Sequence, residues 1–346
     1  MKTQKIKSDE RLHIKLRAIL VRKIFDGMYR DGDLIPTERD LAEKYQMSRV
    51  TVRSALAALE HDGIVTRRQG HGTRVTLHSR GNACDQSLIA VLAPSESPFF
   101  ASFLRTFEAA AEQHDALVVF KAAGKHPVTE DLFRCYERGI RNAVIWPYDE
   151  TIDSEALTRL RGLGMNMVLF DRVMRSAAVD CVSVDNTHAI TALTAYLTGN
   201  GAGNIAYIGW ENSVISSNTE REAAFMRTGT TVFRLPWNRE RDIDAAAAKL
   251  FNELPSKTDA VICGNGVIGI ALKRHCIEKK SAIDVVCIDD LPGAEALGLT
   301  VYEQPMEALA MTVYERLMQQ NSKADEWKAD VIYRKGNVLT RTPGKT

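Results

Sequence analysis

The chain has 346 residues, 45 Lys and Arg against 44 Asp and Glu, and 45% apolar residues. That apolar content excludes a disordered chain, and no apolar run reaches the roughly 18 to 20 residues that cross a bilayer. The basic start MKTQKIKSDERLHIK has no apolar stretch behind it to make a secretory signal, so two or three domains of a soluble, cytoplasmic protein are expected. The charge divides unevenly: residues 1–80 carry 17 basic and 10 acidic side chains, while residues 81–346 carry 28 and 34. A small part suited to nucleic acid is therefore joined to a larger acidic part. The six cysteines, Cys84, Cys135, Cys181, Cys263, Cys276 and Cys287, form no C-x-x-C pair. Reduced thiols are expected, with no metal site, and nothing in the chain calls for another cofactor.

Leu12, Leu16, Ile19, Leu20 and Ile24 recur at helical spacing, and Gly27 ends that helix in a turn. Pro36 and Thr37 start a second helix with Leu41, Ala42 and Tyr45 on its apolar face. Ser48 is a good N-cap for a third, in which Val52, Ala55, Leu56 and Leu59 form the buried stripe while Arg49 and Arg53 sit on a flank away from it. After Gly63, residues 64–75 alternate and turn at Gly70 and Gly72, the pattern of a two-stranded wing. Two short helices in a tight turn followed by a wing make a winged helix-turn-helix. Its chemistry is that of DNA reading, since a helix N-terminus fits the major groove and arginine pairs with a guanine edge.

The string GDLIPTERDLAEKYQMSRVTVRSALAALEHDGIVTRRQGHGTRV closely resembles the DNA-binding domain of the gluconate-repressor (GntR) family, with its P-x-E-R-x-L-A, S-R-x-T-V-R-x-A-L and Q-G-x-G-T blocks in order. The resemblance covers residues 10–76. It implies that Arg39 contacts DNA with Glu38 orienting it, that Ser48, Arg49, Thr51 and Arg53 contact DNA from the third helix, and that Gln69, Gly70 and His71 form the wing tip. Val50 departs from the family pattern, in which a hydroxyl is common.

Residues 77–87 read as a short linker, which places a DNA-binding domain at 1–76 and a second domain at 88–346. Beyond it, strand-like runs alternate with amphipathic helices: SLIAVLA, ALVVFKA, NAVIWP, NMVLFD, CVSVD, NIAYIG, TTVFRLP, DAVICGN and DVVCIDD. This predicts α/β architecture in two doubly wound lobes with ligands at the carboxyl ends of the strands. Gly264, Gly266 and Gly269 fit G-x-G-x-x-G after a strand, so a nicotinamide-dependent oxidoreductase is an alternative, although no acid/base constellation remains after residue 300 and no catalytic residue is assigned. The Gly199, Gly201 and Gly203 cluster follows a helix and reads as a C-cap turn.

Residues 88 to about 340 resemble the effector domain of the lactose and ribose repressor (LacI) family, itself similar to periplasmic sugar-binding proteins. The matching pieces are SLIAVLAPSESPFFASFLRTFEAAAEQH, VLFDRV, VSVDN, IAYIG, the S-x-x-x-R-x-x-x-F of Ser217 to Phe225, VVCIDD and LTVYEQPMEALAMTVYERL. The resemblance implies a sugar site built from Phe99, Phe100, Asp171, Arg221, Trp237, Asn265 and Asp289. Trp146 is a further strand-end candidate. The order of the two domains resembles the arabinose-repressor type. It implies a homodimeric regulator, most simply a repressor of carbohydrate catabolism, whose hold on double-stranded operator DNA is changed by a small sugar between the lobes, with no membrane involved. A purine or amino acid effector, and a constitutive architectural DNA binder, are the other readings.

Overall fold

The computed structural model describes residues 2–77, 87–94, 98–146, 151–175, 179–211, 215–236, 242–322 and 326–341. Trp237, Cys84 and the linker residues 78–86 lie outside them.

The first unit runs α1 (Lys2–Phe25), β1 (Leu34–Ile35), α2 (Glu38–Tyr45), α3 (Arg49–His61), β2 (Val65–Arg68) and β3 (Gly72–Val75). Leu16, Leu20 and Ile24 lie four residues apart on α1 and are fully buried with Val52, Leu56 and Leu59 of α3, so one apolar seam holds the two helices together. Helix α2 starts in a capping box: the Thr37 side chain accepts from the Asp40 amide and the Asp40 carboxylate from the Thr37 amide. It stops at Gln46, whose left-handed φ of 53° turns the chain. Ser48 caps α3 by accepting from the Thr51 amide at 3.1 Å. Strands β2 and β3 pair antiparallel through a turn in which Gly70 and Gly72 take φ of 79° and 83°, values costly for any residue with a Cβ. The wing is thus formed as expected, and β1 adds a third strand to it. That strand is only two residues long, too short for a period-2 pattern to announce it.

The rest of the chain forms two lobes. Lobe 1 contains β4 (Leu88–Ala93), α4 (Pro98–Glu112), β5 (Leu117–Ala122), α5 (Val128–Glu137), β6 (Asn142–Ile145), α6 (Ser154–Gly162), β7 (Asn166–Phe170) and β8 (Asp180–Val184). The chain then crosses to lobe 2 with α7 (Asn186–Gly199), β9 (Ile205–Glu211), α8 (Ser216–Phe225), β10 (Thr231–Pro236), α9 (Ile243–Glu253), β11 (Ala260–Cys263), α10 (Gly266–Glu278), β12 (Asp284–Ile288) and β13 (Thr300–Glu303). It returns through α11 (Met306–Ser322) and β14 (Val331–Arg334) to lobe 1 and ends in β15 (Asn337–Leu339) on lobe 2. The strand orders are β14-β8-β7-β6-β4-β5 and β10-β9-β11-β12-β13-β15. Pairing is parallel except between β13 and β15.

Both lobes therefore follow one winding: the second strand lies on one side of the first and all later strands on the other. Each has its switch point beside its first strand, and the crevice beyond the strand ends is where this topology leaves room for a ligand. The central strands β4, β6, β7, β8, β11 and β12 are buried almost throughout, which is why they read as continuous apolar runs. The five described cysteines are free and buried. Helix α7 ends at Asn200 and Gly201, the latter at φ 94°, which makes the glycine cluster there a C-terminal turn. Among the described residues no helix is long and apolar enough to cross a membrane.

Candidate functional site

At the winged helix, Arg39, Ser48, Arg49, Gln69, Gly70 and His71 are exposed. Val50 shows 70% of its surface beside Arg49. Thr51 differs: it is buried, and its hydroxyl lies 2.7 Å from that of Ser48, so it closes the helix start from within. Glu38 is a hub. Its carboxylate accepts from Arg53 at 3.1 Å and from Arg67 at 2.6 Å, and the Arg53 hydrogen bond, with the charges of Arg53, Arg67 and Arg49, holds that carboxyl below the usual range. Arg53 is consequently tied across α2 and α3, while Arg39 and Arg49 reach outward. Arg67 was not singled out in the sequence because strand pairing alone brings it to Glu38.

The second site lies between the lobes, at the carboxyl ends of both sheets. A cavity of about 60 Å³ is lined from lobe 1 by Phe99, Trp146 and Asp171, and from lobe 2 by Arg221, Asn265 and Asp289 among others. All six were expected there from the sequence. Phe100 is placed elsewhere: it is buried against Trp146, Phe103 and Phe120 in the core of lobe 1 and does not line the cavity. Trp210, Asn218 and Gln304 line it too and were not expected. Gln304 follows β13, a short strand inside a segment that the alternation did not separate, and Asn218 sits within the first turn of α8.

Asp171 and Asp289 occupy equivalent places, one residue past β7 and β12, and both take left-handed backbone, with φ of 53° and 79°. Such angles are uncommon outside glycine and concentrate where a fold aims a side chain. Asp289 accepts from Gln304 at 2.5 Å, from Asn265 at 3.2 Å and from the Gly266 amide at 3.4 Å. Asp171 has fewer partners, with the Ser183 hydroxyl at 3.5 Å. Burial pushes its carboxyl up to about 7, against the opposing charge of Arg221 and with the help of Asp289 and Glu220. Arg221 is buried and donates to Asn186 and to the Gly264 carbonyl, each at 2.7 Å. The Asn218 amide nitrogen and the Gln304 amide oxygen are buried and find no hydrogen-bond partner among the described residues. One donor and one acceptor so placed beside two carboxylates and a guanidinium suit a polyhydroxylated ligand, whose hydroxyls both give and accept.

The cavity is smaller than the 300 to 1,000 Å³ typical of ligand sites, and the Val173 amide donates across the lobes to Ser216 at 2.9 Å. The lobes stand closed on each other, and a ligand enters only by parting them. A larger depression of about 930 Å³ lies beside the cavity and shares Phe99, Asp289 and Gln304 with it.

The glycine motif does not form a phosphate cradle. A Cβ on Gly264 would meet the Tyr207 hydroxyl at 2.3 Å and one on Gly269 the Cys287 side chain at 2.4 Å, so both serve close packing. At the start of α10 the anion is Asp289, accepting from the Gly266 amide where a diphosphate would have to sit. Among the described residues no group of three or more His, Cys, Asp or Glu side chains could hold a metal ion.

Comparison with known proteins agrees with the two kinds of fold in the chain. The family model for periplasmic binding proteins and the sugar binding domain of the LacI family matches residues 85–334. The chain belongs to this family. Its winged helix, residues 14–75, matches the model of the gntR family of bacterial regulatory proteins. The HTH-type transcriptional regulator GgaR of Escherichia coli K12 is 41% identical over 64 residues, covering 18% of this chain and 26% of that protein. The chain thus spans about a quarter of the length of the GgaR relatives it matches. The arabinose metabolism transcriptional repressor of Geobacillus stearothermophilus is 22% identical over 346 residues, covering 93% and 94%. Among solved structures, a lac repressor dimer bound to operator and the anti-inducer ONPF superposes with a TM-score of 0.63 at 16% identity, over 75% of this chain and 94% of that one. The LacI-type and gntR-type parts are those of regulators, which overturns the oxidoreductase reading of the glycine motif.

Proposed function

We propose that the protein is a transcriptional repressor of carbohydrate-utilisation genes, acting in the cytoplasm, whose hold on an operator is changed by a small sugar bound between the lobes. The observation that carries this reading is the union in one chain of an exposed basic reading helix with a cleft of facing strand-end carboxylates, a buried guanidinium and aromatic rings. In this reading residues 1–76 bind DNA, 77–87 link and 88–346 sense. Arg49 reads base edges, exposed Val50 lies against a thymine methyl, and Arg39, Ser48 and the wing tip at Gln69, Gly70 and His71 hold backbone and minor groove. Glu38 with Arg53 sets the angle of α3, and Thr51 keeps its N-terminus in shape. In the cleft Asp171, Asp289, Asn265 and Arg221 bond the sugar hydroxyls while Phe99 and Trp146 pack on its C–H face. Phe100 supports Trp146 from behind, and Trp237 is a further stacking ring. The likeness to an arabinose metabolism repressor supports a pentose as the first sugar to try.

The working form is a homodimer on an inverted repeat. Strand β5 is the outer strand of its sheet, and Leu117, Val119 and Phe120 on it are 68%, 41% and 40% exposed, a surface that a second copy would cover.

A thermal-shift screen of free pentoses, hexoses, uronic acids and their phosphates tests the sensing half, since a ligand of the native state raises the melting temperature. One free sugar is expected to raise it for the natural chain and not for Arg221→Ala. A response only to a purine or an amino acid would sink the sugar assignment.

A further inference from the structure

The winged helix is not held to the rest of the molecule by the linker alone. Helix α1 extends from the head to lobe 1, where the Phe25 ring stacks on Phe133 of α5 with centroids 4.3 Å apart and planes 18° apart. Phe25 and Phe133 are 6% and 1% exposed, and the head core and the outer layer of lobe 1 form one continuous apolar cluster. Arg22 lies over both rings and pairs with Glu130 at 2.9 Å. From α6, Arg159 donates to the Phe25 carbonyl at 2.7 Å, satisfying one of the carbonyls that a helix end leaves open. The chain leaving the wing touches the same lobe: Leu77 lies so close to Gly162 that a Cβ there would stand 2.7 Å from the Leu77 Cβ. Arg39, Arg49, Gln69 and His71 remain exposed while these contacts are made.

From this we infer that the head is latched to lobe 1 of its own chain and moves with it as one body, so that parting of the lobes is passed to the reading helix through α1. The step from α1 to α3 is the apolar seam of Leu16, Leu20 and Ile24, which is buried and stiff. A head on a free linker keeps its own orientation when the lobes rotate. A latched head cannot, and two latched heads on one operator stand at a spacing that lobe 1 dictates. The consequence for DNA rests on the function proposed above; the latch itself does not.

The test uses the full chain with Glu130→Arg, which sets like charges against Arg22, with the double reversal Arg22→Glu/Glu130→Arg, and with Gly162→Val, which wedges Leu77 away at the far end of the contact. Amide hydrogen exchange is read at residues 22–29 and 128–137, with β11 as an internal control. Operator affinity is read on an inverted-repeat duplex and on a single half-site. Glu130→Arg and Gly162→Val are expected to speed exchange in the two segments and not in β11, and to weaken inverted-repeat binding about tenfold through loss of effective concentration while half-site binding holds. The double reversal should restore both in part, because it re-forms the ion pair but not the stacking of Arg22 on the two rings. Unchanged exchange in both single variants would overturn the latch, and unchanged inverted-repeat affinity despite faster exchange would overturn its role in transmission. A chain that bound no DNA at all would count against the proposed function, and the exchange result would still decide the latch.

Discussion

Asp171 shows at the scale of a single residue how the cleft is tuned. Its carboxyl is raised to about 7 by burial, so folding is linked to its proton. Below about pH 4 it is protonated in both folded and unfolded chains and costs nothing. As pH rises from there to about 7 the unfolded chain ionises first and native stability falls, and above 7 the full cost of the buried charge remains. Asp171→Asn does not titrate, so its melting temperature should rise above that of the natural chain increasingly from pH 4 to pH 7 and by a constant margin beyond; a margin that does not change with pH would refute the buried charge. The same residue was reached in the sequence through the resemblance of VLFDRV to the LacI-type pattern, as Asp289 was through VVCIDD. Gln304 and Asn218 were not, because they reach the cleft only when the chain's second crossing, between β13 and α11, and the start of α8 are folded against those two aspartates.

Among the elements, α3 was the most readable. Its Ser48 cap, its apolar stripe and its exposed Arg49 all follow from residues within about three turns of one another. Arg49→Ala removes an exposed side chain whose tie to the fold is the charge it adds beside Glu38, so operator affinity should fall roughly tenfold to a hundredfold, about 1 to 3 kcal/mol, with the melting temperature held. Loss of folding together with binding would point to a structural arginine instead. Helix α10 was legible as a helix and ambiguous as a function, because G-x-G-x-x-G describes equally a phosphate loop and a helix packed hard on a sheet. Packing decides it: with a Cβ due 2.4 Å from Cys287, Gly269→Ala should destabilise the chain by about 1 to 3 kcal/mol. A variant as stable as the natural chain would contradict that packing role. The last strands, β13 to β15, escaped the sequence pattern since each has four residues or fewer and two of them pair only after the chain has crossed between lobes.

For the molecule as a whole, the uneven division of charge maps onto two kinds of surface. The basic head carries its arginines outward around α2, α3 and the wing, while the acidic part turns two of its carboxylates into the cleft. What no reading of composition or period could reveal is how the parts are joined. The contacts of Phe25, Arg22 and Leu77 with lobe 1 depend on residues more than eighty positions away in the chain. Assembly belongs to this scale too. Leu117→Asp on the outer strand of lobe 1, where the side chain is 68% exposed, is expected to shift sedimentation from dimer to monomer and to weaken inverted-repeat binding while leaving any sugar-induced thermal shift intact; a dimer that survived it would move the interface off β5. One chain that reads DNA and answers to a sugar is tested by fluorescence anisotropy of the full protein on a duplex selected from random sequence, titrated with pentoses and hexoses in turn. Selection should return an inverted repeat, and one free sugar should change the affinity at least about tenfold, a coupling of about 1.4 kcal/mol or more; failure to select any sequence above competitor DNA, or an affinity indifferent to every sugar, would rule out a sugar-responsive DNA reader.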